Sequence, residues 1–569
     1  MFDLLGFLRF RAGVQMEVPD LFRNAVTRFP DRACVVEGDR ALTFREVDDR
    51  ASRAAAAFLS LGLERGDRVA LLAQNELEYP EIQVAAQRAG LLLVPLNYRF
   101  AARELEYIIS DCSPRLLIHG AGYQDVSSEL SVEHTWHLGD DGAGDRYDYQ
   151  IAAVEPRSYP GVMPANQAAA VMYTSGTTGR PKGAIISAGA LWARLNIMAA
   201  EADIQPGDTF IQALPMFHIA AHTSYGFIYR GATIVLEREF HPARFIELMA
   251  SKRATHVLVV PTMINLLTLE PSLEKADLGE LRLMLYGASS ISPEVLRRAI
   301  QQLDCGFLQF FGMTETYGVS LLRPEDHDPI NHPERLASAG TDSISSETRI
   351  VDREDNDVGV SVVGEILSRG PALMDGYWND TSATIDALKG GWMHTGDLGY
   401  RSADGYLFVT DRLKDMVVTG GENVYPREVE DIFQEHPAVL EAAVIGMPDD
   451  QWGERVHALV VLKTGSVASD AELIEFCRSR LANYKVPKSI DIVEVLPKNA
   501  TGKVLKRELR ESDIRALGLG VRRRRTAASP IGLHGGSPTR PWAPALERIS
   551  PEPLFDGSRP RPRSGTQAP

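Results

Sequence analysis

Short, wholly apolar runs alternate along this chain with stretches whose apolar residues recur at helical spacing. After Thr43-Phe-Arg-Glu46, the residues Val47, Ala51, Ala54, Phe58 and Leu61 fall on one face of a helix. Thr43 can cap that helix, with Glu46 folding back as its third residue, and Gly62 suits the stop. The run RVALLA (68–73) then predicts a buried strand. A helical stretch over 77–89 follows, and LLLVPL (91–96) predicts the next strand. The same texture returns at ATIVLE (232–237), THVLVV (255–260) and LRLMLYG (281–287). Buried strands alternating with helices predict parallel βαβ units, hence an α/β fold with parallel-rich sheets and flanking helices. No internal repeat of fixed period is present.

Near residue 411 the pattern changes. DRLKDMVVTGGENVYPREVEDIF (411–433) is charged and punctuated by glycine, with a helix expected after Pro426. AAVIGMP, the strand HALVVLK (457–463) and the helix DAELIEFCRSRLANY continue a compact α+β pattern. Its length suits a small domain that folds by itself. The expected organisation is therefore a large N-terminal domain over 1–411 and a small, mobile α+β domain over 412–517. A Pro-, Arg- and Gly-rich tail over 518–569 is expected to be disordered. The tail's Arg522–Arg525 run reads as a solvated charge block or a contact for an acidic surface.

Composition narrows the function. The chain has 569 residues and a formal charge of −16, which disfavours nucleic acid as a partner. No apolar run is long enough to span a bilayer. The opening MFDLLGFLRFRAG lacks the charged start and small-residue cleavage site of a signal peptide. It reads as a leader or a weak surface-attaching helix, so membrane contact is expected to be peripheral at most. Cys34, Cys112, Cys305 and Cys477 are scattered and form no CxxC pair, which fits a reducing cytoplasm and argues against a structural zinc site.

The stretch VMYTSGTTGRPKG (171–183) bears the clearest chemistry. Its spacing is not that of a Walker A loop, and Gly183 follows the lysine where Ser or Thr would stand. Thr174, Ser175, Thr177 and Thr178 nevertheless offer hydroxyl groups. Gly176 and Gly179 let backbone N–H groups approach oxygens closely, and Lys182 adds a point charge. Phosphate is the natural ligand; a surface loop rich in Gly and Ser is the alternative.

Four further stretches decide between them: FFGMTETYG (310–318), HTGDLGY (394–400), DRLKDMVVTGGENVYP (411–426) and PKNATGKVLKREL (497–509). Together with YTSGTTGRPKG, in this order over about 500 residues, they resemble the adenylate-forming superfamily and are most similar to bacterial fatty-acyl-CoA synthetases. The resemblance implies a two-step acid:CoA ligase. A carboxylate attacks the α-phosphate of ATP to give acyl-AMP and pyrophosphate, and coenzyme A then displaces AMP. In this reading residues 174–183 wrap the β- and γ-phosphates, Glu315 ligates Mg²⁺, and Thr314 contacts the α-phosphate. Alone, Thr314 and Glu315 would read as an acidic helix N-terminus. Asp397 would accept hydrogen bonds from the ribose hydroxyls, although an Asp after Gly is ordinarily a turn residue. Arg412 would contact the nucleotide. Gly287, Ala288, Ser289 and Gly312 would lie along adenine and acyl group, with Phe311 against the adenine face. Lys503 would swing in to stabilise charge during adenylation, Lys414 would be the hinge, and Gly420 and Gly421 would line the pantetheine channel.

The acyl side is less defined. LPMFHIAAH (214–222) carries no acid where amino-acid-activating relatives place an aspartate, so an ammonium substrate would be left unpaired. His218 matches a histidine of acyl- and aryl-CoA synthetases that borders or gates the acyl site. After Lys182-Gly183 the chain reads AIISA, with Ala188 where the family has a histidine. A medium- or long-chain fatty acid is the expected substrate, with an aryl or sterol-derived acid as the alternative. An acyl-AMP ligase that loads a carrier protein would share the ATP residues. A non-catalytic sensor should have lost Lys503, Glu315 or Asp397, and a luciferase-type use of the adenylate is separable only by assay. Lys503 also resembles lysines acetylated in bacterial ligases, a modification that would remove its charge.

Overall fold

The computed structural model describes residues 17–139, 145–174, 181–413, 415–420, 422–449, 451–498 and 504–511. The expected N-terminal leader and the 518–569 tail lie outside these residues. The helix Phe44–Ser60 forms as its sequence requires. Thr43 accepts from the Glu46 N–H, and the Glu46 carboxylate accepts from the Thr43 N–H. Val47, Ala51, Ala54 and Phe58 are buried along its inner face, and Gly62 turns the chain away at φ +81°.

Among the described residues the larger part of the chain contains a seven-stranded and a nine-stranded sheet, both with helices packed on them. In the first, Arg68–Leu72 lies parallel between Leu92–Pro95 and Leu116–His119. In the second, Thr209–Gln212, His256–Val259, Leu283–Gly287 and Gly306–Met313 run parallel side by side. These runs are mostly apolar because both faces are covered. The last of them turns back into Tyr317–Leu322, an antiparallel pair whose register slips between Phe311 and Gly312. The Thr314–Glu315 turn therefore sits at the tip of a hairpin, not at a helix N-terminus.

A four-stranded antiparallel sheet ends with the strand Leu407–Arg412. From Val417 the chain enters a separate five-stranded sheet with its own core around Val417, Val444, Ala458 and Leu473. The helix Pro426–Gln434 starts on its proline, as expected. The helix predicted over DAELIEFCRSRLANY stops at Arg478. There the Ser479 hydroxyl donates back to the Phe476 carbonyl, a local bond that competes with continued helix. Among the described residues no helix is long and apolar enough to cross a membrane.

Candidate active site

A cavity of about 710 Å³ lies at the carboxyl ends of the parallel strands, where open α/β sheets bind ligands. Three kinds of wall meet there. Thr174, Lys182, Thr314, Glu315 and Tyr377 form a polar wall. Leu214, Pro215, Ile219, Leu258, Val259 and Val260 form an apolar one. His394, Thr395, Gly396 and Arg412 make the third.

The polar wall is built from distant segments. Thr174 ends one strand and Lys182 starts its antiparallel partner, directly opposite in register. The Lys182 ammonium lies 5.1 Å from the centre of the Tyr377 ring. The Tyr377 hydroxyl donates to Glu315 Oε1 at 2.9 Å, and the Met374 N–H donates to the Glu315 carbonyl at 2.8 Å. Burial, and then the adjacent Glu315 charge, push the Tyr377 phenol well above its ordinary range, so it remains a donor. Glu315 itself is buried. Gly312 permits the hairpin's close approach: a Cβ there would lie 1.6 Å from the Tyr317 carbonyl oxygen.

Asp397 and Arg412 are register partners on adjacent antiparallel strands of the four-stranded sheet, with Arg412 Nε 2.9 Å from Asp397 Oδ1. Arg412 lines the cavity, and Asp397 is buried behind it, its backbone N–H donating to Thr395 Oγ1 at 3.1 Å. His218 stands on the apolar side with its ring 4.4 Å from that of Phe217. Burial, and then the Arg99 charge, lower its pKa to about 4. It is therefore a neutral wall at physiological pH. Glu365 also lines the cavity, and its carboxylate holds His394 Nδ1 and the Gly396 N–H, each at 3.1 Å.

The structure gathers Thr174, Lys182, His218, Gly287, Ala288, Gly312, Thr314, Glu315 and Arg412 around one cavity. Ala288 bends the chain at the strand end with φ +69°. Ser289 is exposed and not part of the wall. Phe311 is turned away from the cavity into a small cluster with Ala339, Ile350, Ile366 and Leu407, and its neighbour Phe310 lines the cavity instead. Alternation along a strand puts adjacent side chains on opposite faces, so one of the two had to point away. Gly420 is exposed on the small sheet, with φ +59° and the Trp452 ring 2.9 Å from where a Cβ would sit. Ser175, Gly176, Thr177, Thr178, Gly179, Lys414, Gly421 and Lys503 lie outside the described residues. Sequence reasoning missed Tyr377, Phe310 and Glu365. The only local signal for Tyr377 was the turn-like Asp375-Gly376 before it.

Comparison with known proteins agrees with this geometry. The family model described as AMP-binding enzyme matches residues 22–378, and that of the AMP-binding enzyme C-terminal domain matches 428–503. A feruloyl-CoA synthase of Amycolatopsis sp is 36% identical over 485 residues, covering 84% of this chain and 96% of that protein. The long-chain-fatty-acid–CoA ligase FadD13 of Mycobacterium tuberculosis is 34% identical over 501 residues, covering 86% of this chain and 97% of that protein. Among solved structures, ATP-bound MatB from Rhodopseudomonas palustris aligns with a TM-score of 0.80 at 30% identity, covering 86% of this chain and 98% of that one.

Proposed function

This chain belongs to the AMP-binding enzyme family, and from that premise we propose that it is an ATP-dependent acid:CoA ligase for an apolar carboxylic acid. The observation that carries the proposal is the single cavity in which a cationic, carboxylate-bearing wall faces an uncharged apolar one. The first suits a triphosphate, the second a hydrocarbon group. Fatty acids of medium or long chain are the first choice of substrate. The likeness to a feruloyl-CoA synthase supports an arylpropenoic acid as the second.

In this reading Lys182 and the residues from 174 onward hold the β- and γ-phosphates, and Arg412 and Asp397 hold the ribose side. Phe310 lines the cavity and Phe311 does not, so Phe310 takes the adenine contact in place of Phe311. A magnesium ion fits at Glu315. A single buried carboxylate is what such an ion needs when phosphate and water supply its other oxygens. Glu315 would hold the ion, which would supply positive charge beside the triphosphate. The neutral His218 borders the acyl group. Lys503, on the small domain, supplies the charge for adenylation. Rotation about Lys414 then replaces it with the face carrying Gly420 and Gly421, along which coenzyme A enters. The domains over 1–411 and 412–517 are the two bodies of that rotation.

The test is pyrophosphate release with ATP and Mg²⁺ across a panel of fatty, aryl and ring-derived acids, with and without CoA. CoA-dependent turnover on one acid class is expected. A single burst that CoA cannot relieve would replace CoA with a carrier-protein acceptor. Folded, ATP-binding protein that releases no pyrophosphate with any acid would overturn the ligase reading.

A further inference from the structure

Behind the polar wall lies a charge that none of the motifs contains. Arg194 belongs to the helix Ala188–Glu201, which Ser187 caps directly after the strand Lys182–Ser187. Its side chain is completely buried. Nη2 donates to the Thr314 carbonyl at 3.0 Å and Nε to the Ala372 carbonyl at 2.9 Å. Nη1 lies 3.4 Å from His222 Nδ1, and the guanidinium is 5.8 Å from the centre of the Tyr317 ring. His222 is kept neutral by burial and by Arg194 itself, so its Nδ1 accepts. Among the described residues no carboxylate forms an ion pair with Arg194.

An unpaired buried cation is expensive, and a Leu or Met would fill the space at less cost. Its position gives a reason for its presence. The two carbonyls it holds flank the segments that clasp Glu315: Thr314 precedes Glu315 on the hairpin tip, and Ala372 lies two residues before Met374, whose N–H holds the Glu315 carbonyl. Glu315 and Asp375 lie within electrostatic range of the guanidinium. Burial draws its pKa down to about 10, so it stays charged at neutral pH.

We propose that Arg194 is a positioning residue for adenylation: its planar fork staples the Thr314–Glu315 turn to the segment before Met374, fixing the Glu315 carboxylate toward the metal–triphosphate and placing an unpaired positive charge beneath it. The proposal rests on the ligase reading above. A lysine would keep the charge but cannot bridge two carbonyls in fixed geometry, and a methionine would keep neither.

The test uses the full chain with Arg194→Lys and Arg194→Met. Calorimetry measures binding of AMP without metal and of ATP with Mg²⁺, and pyrophosphate release is followed across Mg²⁺ concentrations with the acid the wild type accepts. AMP affinity should fall by no more than about threefold, because AMP meets this turn through Thr314 alone, whereas Mg·ATP also needs the Glu315 carboxylate. The Mg²⁺ concentration for half-maximal rate should rise about tenfold in both variants, and adenylation should fall about 100-fold in Arg194→Met, the usual effect of misplacing a reacting group. Arg194→Lys should keep part of the rate. If AMP and ATP affinity fall together, Arg194 merely holds the core and the proposal fails. It fails equally if adenylation and Mg²⁺ dependence are unchanged. Should Arg194→Met not fold, Arg194→Lys makes the same comparison. A wild type that binds ATP but activates no acid would sink the ligase reading alone, because the AMP and Mg·ATP binding contrast still decides the role of Arg194.

Discussion

Replacing Asp397 with Asn tests the ribose contact at the level of single oxygens. The Asp397 side chain is 7% exposed, and Arg412 Nε meets its Oδ1 at 2.9 Å. The backbone N–H to Thr395 Oγ1 holds the residue in place, so Asn occupies the same space without the charge. A charge-assisted hydrogen bond contributes about 1.5–3 kcal/mol and a neutral one about 1 kcal/mol. Converting two such bonds to the ribose hydroxyls from charged to neutral should therefore cost roughly 1–4 kcal/mol, or about 5- to 700-fold in ATP affinity. The Arg412 side chain is 30% exposed, so water relieves much of its lost pairing. The stability cost should stay near ~1 kcal/mol, visible as a melting shift of a few degrees at most. Calorimetric titration of wild type and Asp397→Asn with ATP, 2′-deoxy-ATP and 3′-deoxy-ATP closes a double-mutant cycle on each hydroxyl. The wild type should lose affinity with each deoxy analogue, and the variant should lose little more. If Asp397→Asn discriminates ATP from both deoxy analogues as strongly as the wild type, the carboxylate serves Arg412 alone and the ribose assignment is wrong.

Lys503→Ala should lose adenylation while still forming thioester from supplied acyl-AMP, and equal loss of both half-reactions would defeat the division of labour between the two poses. His327 illustrates the pH dependence of the core. Its Nδ1 donates to the Arg323 carbonyl, its Nε2 accepts from the Tyr286 hydroxyl, and burial lowers its pKa to about 4. The unfolded chain takes up the proton near pH ~6.5, so this histidine's neutral state favours folding above that pH and the advantage is lost as pH falls toward 4, by up to about 1.4 kcal/mol per pH unit. Glu76 and Glu81, raised to about 7 by burial, act in the opposite direction over the same window, so the difference between variants is the quantity to measure. The urea midpoint of His327→Gln should gain on that of the wild type between pH 7 and 5, and a constant difference would refute the assignment.

What could be read from the chain divides by distance. The Thr43–Glu46 cap and the apolar strands at 68–73 and 281–287 were legible because each depends on residues a few positions apart. The adjacency of Ala33–Glu37 and Thr233–Leu236 was not, since nothing local couples segments about 200 residues apart. Which of Phe310 and Phe311 lines the cavity could not be read from alternation alone, because the register slips beside them at Gly312. The candidate site divides in the same way. Thr174 and Lys182 belong to a stretch whose glycines and hydroxyls suit phosphate chemistry, and Thr314 and Arg412 to stretches that only the family resemblance singles out. Glu315 is announced by the same kind of stretch, yet its surroundings come from elsewhere: Arg194 about 120 residues earlier, Tyr377 about 60 residues later, and the Met374 N–H. These neighbours decide how the carboxylate is held, which of its oxygens is engaged, and how much positive charge lies beneath it. A motif can therefore name a carboxylate while the way it is held is set by residues that, read in their own helix or loop, look like ordinary structure.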